Sequence, residues 1–345
     1  MKILSIETSC DETGAAILEC TGELPQPTFK VLANSLLSQI DIHKEYGGVF
    51  PMLAKREHEK NLPILLDKTL KESGVDPKDL DYIAVTAGPG LEPALWAGIV
   101  FAKELGEKWG KPVVPINHME GHLFSFLFEA KAEIRFPAIA LLVSGGHTEL
   151  VLVESFSNFK IIGQTKDDAV GEAFDKTARI LGLEYPGGPK ISKLAKDARE
   201  RTSEDKFNFP RPMLKSNNFD FSYSGLKTAV LYTVRKIENM SEETREDLAR
   251  SFEEAAIEPL IYKTKKAIED YSAKSLILGG GVSANTYLQS EVQKLGEDLD
   301  VNIYKPTSEV TTDNAIMIGV SAYVNHLTKR LQIGGEITAR GNLPL

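Results

Sequence analysis

Cysteine and long apolar runs are what this chain lacks most clearly. Its 345 residues include two cysteines, Cys10 and Cys20, which fall within one predicted hairpin and argue against a disulfide framework. A small buried thiol is a better interpretation of Cys10 than a reactive one. No apolar stretch approaches the roughly 20 residues that a membrane helix needs, and no charged or Arg-rich leader precedes the first strand. We therefore expect a cytoplasmic protein that does not contact a membrane.

An excess of positive charge is also missing. The 40 Lys and Arg residues are outnumbered by 49 Asp and Glu residues, which gives a formal net charge of -9. This balance argues against broad, unassisted binding to nucleic acid but allows a local basic face. One segment has basic residues at near-helical spacing, and it predicts either contacts with nucleic-acid phosphates or a solvated amphipathic helix: Lys190, Lys193, Lys196, Arg199 and Arg201, followed by Arg211 and Lys215.

A duplicated pattern is the most informative feature that is present. Residues 2–18 and 138–153 each contain an apolar strand, a tight polar turn and a second apolar strand, and Ser9 and Thr13 align with Ser144 and Thr148. The repeat predicts two similar lobes with a ligand cleft between them, where turn N–H groups can hold a phosphate. The chain length also fits two lobes better than one core.

Strands alternate with helices along the chain, as in an α/β protein. Residues 81–87 predict a strand that enters a Gly-Pro-Gly turn and then a helix over 94–109. Residues 274–278 predict another strand, followed by a glycine-rich turn and a helix from about Thr286. This order of strand, glycine turn and helix brings backbone close to a ligand. The charged segment 129–135 is the best candidate for the boundary between lobes.

Two histidines at a spacing of four residues are the sharpest chemical feature. A short strand over 111–116 runs into a predicted helix that carries His118 and His122 on one face, the geometry for holding one metal ion. Glu120 lies midway between them and points away from a shared metal, so the pattern is not that of a zinc protease. Histidines that cap or pack a helix are the alternative interpretation. The position after a strand end favours the metal.

A metal held by two histidines needs a third protein ligand if it is to keep open positions for substrate. Asp313 is the candidate, because it follows the strand 302–304 and a loop and stands at a predicted helix start. Aspartate is also a common helix N-cap. The sequence leaves both interpretations open.

Nine motifs in order resemble the TsaD/Gcp family nearly from end to end. They are IETSCDET (6–13), AGPGL (87–91), HMEGH (118–122), VSGGHTEL (143–150), GEAFDKTARILGL (171–183), YPGGP (185–189), FSYSGLKT (221–228), GGGVSAN (279–285) and TDN (312–314). The resemblance implies the acetate-and-sugar-kinase/Hsp70/actin (ASKHA) fold. It also implies an acyltransferase-type metalloenzyme that moves threonylcarbamoyl from threonylcarbamoyl-AMP to N6 of adenine 37 in tRNAs reading ANN codons, forming t6A and releasing AMP.

The resemblance also implies functional residues. His118, His122 and Asp313 become ligands of one divalent metal, most often iron in bacterial members, with zinc as the alternative. Asp11 and Glu12 are candidates to accept the proton of the attacking amine, although both can equally be solvated turn residues. The adenylate site implied by the family comprises Leu142, Val143, Ser144, Gly145, Gly146, Asp175, Gly188 and Asn285.

The sequence also predicts lobe boundaries and partners. The N-terminal lobe is predicted over 1–130 and the C-terminal lobe over 131–345, with a helical insertion at about 165–270 and a final helix that packs back on the first lobe. The implied partners are tRNA, a TsaB-like paralogue and a TsaE-like ATPase, and a homodimer is also open. The alternatives are an ATP-dependent small-molecule carbamoyltransferase or kinase of the same fold, or a non-catalytic scaffold subunit.

Overall fold

The computed structural model describes residues 1–129, 133–202 and 204–345. These residues form two compact units, one comprising Met1–Ile134 with Lys305–Leu345 (unit 1) and the other Arg135–Tyr304 (unit 2). The lobe boundary predicted between residues 130 and 131 lies outside the described residues. Within the described ranges, no helix combines the length and the apolar character needed to cross a lipid bilayer.

Unit 1 is built on a five-stranded mixed sheet with the order β3-β2-β1-β4-β5. Its first three strands are antiparallel neighbours, and β4 and β5 continue the sheet in parallel with β1. The strands are β1 (Lys2–Glu7), β2 (Glu12–Thr21), β3 (Thr28–Ser38), β4 (Tyr82–Gly88) and β5 (Val113–Asn117). The helices of this unit are α1 (Ile40–His43), α2 (Pro51–Ser73), α3 (Glu92–Trp109), α4 (His118–Phe124) and α10 (Ala315–Leu327).

The central strand β1 is buried on both faces, because helices cover both sides of the sheet. On one face Leu4 and Ile6 pack with Leu95 and Ile99 of α3. On the other face α10 packs so closely that a Cβ at Gly319 would lie 2.9 Å from a Leu18 methyl carbon. This packing fixes the N-terminal end of α10, and the loop before it, against the sheet.

Unit 2 repeats the arrangement with the order β10-β9-β6-β7-β8. Its strands are β6 (Ala138–Val143), β7 (Thr148–Ser155), β8 (Asn158–Gln164), β9 (Ser275–Gly279) and β10 (Asn302–Tyr304). An antiparallel meander is again followed by two parallel strands. The helices are α5 (Val170–Ile180), α6 (Gly188–Arg201), α7 (Ser224–Val234), α8 (Glu242–Tyr271) and α9 (Thr286–Leu299), of which α5 to α8 lie between β8 and β9.

The matching strand orders confirm the predicted α/β fold with two duplicated lobes. Each predicted hairpin is present, because β1 pairs antiparallel with β2 and β6 pairs antiparallel with β7. The predicted strand–turn–helix segments are also present as β4 with α3 and β9 with α9. Cys10 and Cys20 are both free thiols, as their spacing suggested.

Candidate metal centre and glycine turns

The helix that carries the histidine pair begins directly at the end of β5. Asn117 caps it, because the Asn117 side-chain oxygen accepts hydrogen bonds from Met119 N at 2.8 Å and Glu120 N at 3.3 Å. His118 and His122 are both buried on the same side of this short helix, and their ring centroids are 4.7 Å apart. The predicted spacing therefore produces the predicted shared face.

Asp313 meets both imidazoles in unit 1. Its Oδ1 lies 3.0 Å from His122 Nε2 and 3.4 Å from His118 Nε2, and potential ligand atoms of the three residues all lie within 4.8 Å of one another. Helix α10 is capped by the neighbouring Asn314, whose side chain accepts from Met317 N. The N-cap interpretation of Asp313 is therefore wrong, and two nitrogens and one carboxylate converge as metal ligands do.

The outer nitrogen of His118 is oriented by β1 and the turn that follows it. His118 Nδ1 lies 3.2 Å from Glu7 Oε2 and 3.2 Å from Ser9 Oγ. Glu7 is fully buried and is held by hydrogen bonds from Ser9 N and the Thr86 hydroxyl. A carboxylate that accepts from Nδ1–H fixes the tautomer and aims Nε2 at a metal. The buried Nδ1 of His122 has no such partner among the described residues.

The electrostatics of this cluster call for a positive charge between the two carboxylates. Burial by itself raises the pKa of Asp313, but the imidazoles of His118 and His122 outweigh it and hold this pKa well below its ordinary value. Burial opposes protonation of His118, yet Asp313 and Glu7 together raise the pKa of His118 well above its usual range. A protonated imidazole or a divalent metal ion satisfies the same demand, so the donor set fits a metal.

We expect Glu7→Gln to weaken metal binding by about 10- to 100-fold, because the amide no longer fixes the tautomer of His118. Competition with a chromogenic chelator measures this dissociation constant without any substrate. Ser5→Ala is the matched control, because it removes a buried hydrogen bond from the same strand to Ala16 O and touches no histidine. Equal affinities for wild type and Glu7→Gln would contradict the orienting role.

Glu120 points away from the cluster, as the spacing predicted. Its carboxylate accepts from both terminal nitrogens of Arg330, at 3.1 and 3.2 Å, and from Asn325 Nδ2 at 2.8 Å. It is therefore engaged in a bidentate ion pair and is not placed to act as the general base of a zinc protease.

The turn between β1 and β2 carries the two candidate proton acceptors. Asp11 is buried, and its Oδ2 has no hydrogen-bond partner among the described residues. Burial, followed by the nearby carboxylates of Asp11 and Asp313, raises the pKa of Glu12 to about 10. Asp11 and Glu12 therefore both remain candidates for the proton acceptor. Burial also raises the pKa of the Cys10 thiol well above its usual range and makes it a poor nucleophile.

A buried histidine, His58, contacts this turn through hydrogen bonds. His58 lies 2.8 Å from the Thr13 hydroxyl and 3.0 Å from Cys10 O, and Gln39 N donates to Asp11 O. Burial lowers the pKa of His58, outweighing the carbonyl contact that raises it. No sequence pattern predicted this contact, because His58 lies 48 residues after Cys10.

We expect His58 to contribute a fall of on the order of 1 kcal/mol to the free energy of unfolding as the pH drops from about 7.5 to 5.5, because unfolded His58 binds a proton that the folded site disfavours. The stabilisation is complete above the unfolded pKa and is lost as the pH falls toward the lowered folded pKa. Urea unfolding at the two pH values measures it. The raised pKa of His118 acts in the opposite direction over the same range, so the contribution of His58 is obtained as the difference in this pH dependence between wild type and His58→Gln. The same pH dependence in both proteins would contradict the assignment.

In unit 2 a glycine turn joins β6 to β7. Ser144 closes it, since Ser144 N donates to His147 O and its hydroxyl accepts from His147 N. The exposed Gly145 and Gly146 amides donate to no acceptor among the described residues. Leu142 and Val143 are buried in β6, so only their backbone is available to a ligand.

Two further glycines pack closely against the same turn. A Cβ at Gly171, at the start of α5, would lie 2.6 Å from Ser144 O, and one at Gly280, after β9, would lie 2.3 Å from Val143 O. Gly280 also has φ +86°, which favours glycine. The motifs GEAFDK and GGGVSAN contained these residues, but only the structure shows which turn they contact.

The other predicted adenylate residues of unit 2 also have partners within the protein. Asp175 Oδ1 accepts from Gly187 N at 2.7 Å and so holds the turn that leads to Gly188. Asn285 caps α9 through Leu288 N, while its Nδ2 donates to Ser192 Oγ and Glu253 Oε1. Asp175 thus lies in the middle of α5, whereas Gly188 begins α6 and Asn285 caps α9.

The basic segment of unit 2 is largely neutralised. Five of its seven cations form ion pairs with acidic side chains of the same unit: Lys190 with Glu184, Lys196 with Glu200, Arg199 with Glu253, Arg201 with Asp247, and Arg211 with Glu258. Charges paired in this way attract phosphates less strongly. The segment therefore behaves mainly as the packed, solvated face that was its alternative interpretation.

A family model described as "TsaD: tRNA N6-adenosine threonylcarbamoyltransferase" matches residues 30–320. The chain belongs to the TsaD family. A protein of Thermosipho africanus described as a tRNA N6-adenosine threonylcarbamoyltransferase is 48% identical over 323 residues, which cover 94% of each chain. A protein of Persephonella marina with the same description is 45% identical over 94% of this chain and 90% of its own length.

Solved structures support the fold of this TsaD-family chain. Full-length HypF in its phosphate- and nucleotide-bound form matches with a TM-score of 0.60 and 12% identity, over 95% of this chain and 55% of HypF. The activator of 2-hydroxyisocaproyl-CoA dehydratase from Clostridium difficile matches with a TM-score of 0.51 and 12% identity, over 96% of each chain. At these identities the likeness concerns the ASKHA-type architecture alone.

Proposed function

We propose that this protein transfers the threonylcarbamoyl group from threonylcarbamoyl-AMP to N6 of adenine 37 in tRNAs reading ANN codons, forming t6A and releasing AMP. The observation that carries the proposal is the His118–His122–Asp313 cluster in a chain of the TsaD family. Relatives at 43–48% identity over 94% of the chain are described as tRNA N6-adenosine threonylcarbamoyltransferases, which supports the proposal.

The proposed metal ligands are His118, His122 and Asp313. Two imidazoles and one carboxylate with open positions are typical of Fe²⁺, which we propose as the metal, with Zn²⁺ as the alternative. When bound, this ion supplies Lewis-acid stabilisation of charge that develops on oxygen atoms of the adenylate. Glu7 and Ser9 keep His118 Nε2 directed toward that position.

We propose that unit 2 binds the adenylate. The amides of Gly145 and Gly146 donate to the phosphate, since both are exposed on a turn that side chains do not cover. Asp175, Gly188 and Asn285 complete the proposed adenylate site, and Asp175 and Asn285 offer hydrogen-bonding groups.

Proton removal completes the proposed reaction. The exocyclic amine of adenine is a poor nucleophile, so positioning and stabilisation of the electrophile must supply most of the acceleration. Asp11 and Glu12 are the proposed acceptors of the amine proton, and Asp11 is the first choice because its buried Oδ2 has no hydrogen-bond partner among the described residues.

Binding of tRNA is proposed to depend on partner proteins. The formal net charge is -9, and most cations of the basic segment are paired within the protein. We propose a TsaB-like paralogue and a TsaE-like ATPase as those partners, with a homodimer as the alternative assembly.

Single-turnover transfer of labelled threonylcarbamoyl to tRNA tests the proposal, with and without the partner proteins. The matched substrate is the same tRNA with guanine at position 37, which lacks the N6 amine. Label on the adenine-37 tRNA alone is the expected result. No label on either tRNA, from folded and metal-loaded protein with its partners, would overturn the transferase and favour a scaffold subunit.

A further inference from the structure

A half-buried ion pair lies on the side of α4 opposite the histidines. With about 100° of rotation per residue, Glu120 stands about 200° around the helix from both His118 and His122. The Glu120 side chain is 12% exposed and meets the guanidinium of Arg330, whose side chain is 26% exposed, in a two-pronged contact supplemented by Asn325 Nδ2. We call Glu120, Asn325 and Arg330 the rear clamp.

The rear clamp is anchored at the C-terminal end of α10. Lys329 has φ +60°, a left-handed turn that ends the helix and reverses the chain. Arg330 N then donates to Asn325 O at 2.8 Å, which fixes the backbone from which the guanidinium reaches Glu120. The loop before the same helix carries Asp313. Thus α10 is connected to α4 near both of its ends, by Asp313 at the histidines and by the rear clamp at Glu120.

Between these two connections, α4 contacts α10 at Gly121, which has no side chain. A Cβ at Gly121 would lie 3.1 Å from Met317 Cγ and 3.2 Å from Ile318 Cδ1. Helix α4 is only seven residues long and all of its residues are buried, so the groups that contact it set its rotation about the helix axis. A change in this rotation would swing both imidazoles away from Asp313.

From this geometry we infer that Glu120 and Arg330 are positioning residues for the metal centre: their ion pair fixes the rotation of α4, so that His118 and His122 face Asp313 in the arrangement a metal ion requires. Ligands held in place before binding raise metal affinity, because less ordering accompanies coordination. This inference rests on the proposed metal site and assigns Glu120 a role that does not involve contact with substrate.

The test uses Co²⁺ as the probe, with its visible absorption spectrum and its dissociation constant as readouts. Removing one partner of a half-buried pair leaves an unpaired charge, so the main variant replaces both together, Glu120→Leu with Arg330→Met. We expect this double variant to stay folded, to bind Co²⁺ about ten-fold more weakly and to show a changed spectrum. A ten-fold loss is the lower end of the effect seen when residues that orient metal ligands are replaced. The single variant Glu120→Gln should fall between it and wild type.

Tyr323→Phe is the matched control. It removes a hydrogen bond of 2.7 Å from α10 to Gly22 O, so it perturbs the same helix away from the rear clamp. Its Co²⁺ affinity and spectrum should match wild type. A double variant with the wild-type dissociation constant and spectrum, or a Tyr323→Phe variant that loses as much affinity, would overturn the inference. Failure of wild type to bind Co²⁺ would instead overturn the metal site itself.

Discussion

Asp313→Ala is expected to lower the rate of single-turnover transfer by on the order of a thousand-fold, because Lewis-acid stabilisation is worth several kcal/mol and each 1.36 kcal/mol is a factor of ten. Asp313 is the only carboxylate in the described part of the chain that contacts both imidazoles. Without it, two neutral nitrogens hold a divalent cation weakly, so bound metal should fall as well. Rapid-quench transfer assays and elemental analysis of the purified variant measure the two losses.

Two comparisons make the Asp313 result specific. Asp41→Ala removes the same charge from an exposed site in unit 1, where Asp41 pairs with Lys44, and should leave transfer and metal content unchanged. Asp313→Asn keeps one oxygen ligand and should retain part of the metal. If Asp313→Ala loses its metal but transfers at the wild-type rate, the metal has no role in the reaction.

Gly146→Ala is expected to raise the dissociation constant of AMP by on the order of 100-fold while leaving the thermal midpoint unchanged. No atom lies within 4 Å of a Cβ at Gly146, and its φ is not in the left-handed region, so the folded protein accommodates alanine. A phosphate seated on the turn amides would meet that methyl group, and overpacking costs about 1–3 kcal/mol. Isothermal titration with AMP and differential scanning calorimetry measure the two quantities.

Substitutions at other glycines distinguish a loss of ligand contact from a loss of structure. A Cβ at Gly171 would lie 2.6 Å from Ser144 O, so Gly171→Ala should lower both the thermal midpoint and the AMP affinity. Gly225→Ala, in α7, meets only an ordinary contact at 3.6 Å and should change neither. If Gly145→Ala and Gly146→Ala both bind AMP as wild type does, the phosphate does not lie on this turn.

Local patterns in the sequence predicted the elements well, because their causes are local. Short runs of apolar residues marked the strands β1 and β6, and glycine residues marked the turns that follow β4 and β9. The i,i+4 spacing of His118 and His122 likewise required only that the segment be helical. The repeat between the two halves predicted two similar lobes, and the matching strand orders confirm them.

The sequence did not predict the contacts by which distant residues hold His118 and Glu120 in place. Glu7 supports His118 across 111 positions, and Arg330 reaches Glu120 across 210. A charged residue in the apolar strand KILSIE was the one available signal for Glu7, since a buried carboxylate requires a partner. The choice between N-cap and ligand for Asp313 depended on the side chain of Asn314, and spacing alone carries no information about that.

The division of the chain also has a consequence for biosynthesis. Unit 1 is assembled from Met1–Ile134 and Lys305–Leu345, with all of unit 2 made in between. His122 leaves the ribosome 191 residues before Asp313, so the first unit must wait for its final helix while the second is translated and folds. A nascent chain that stops anywhere within unit 2 has two of the three proposed ligands and cannot complete the site.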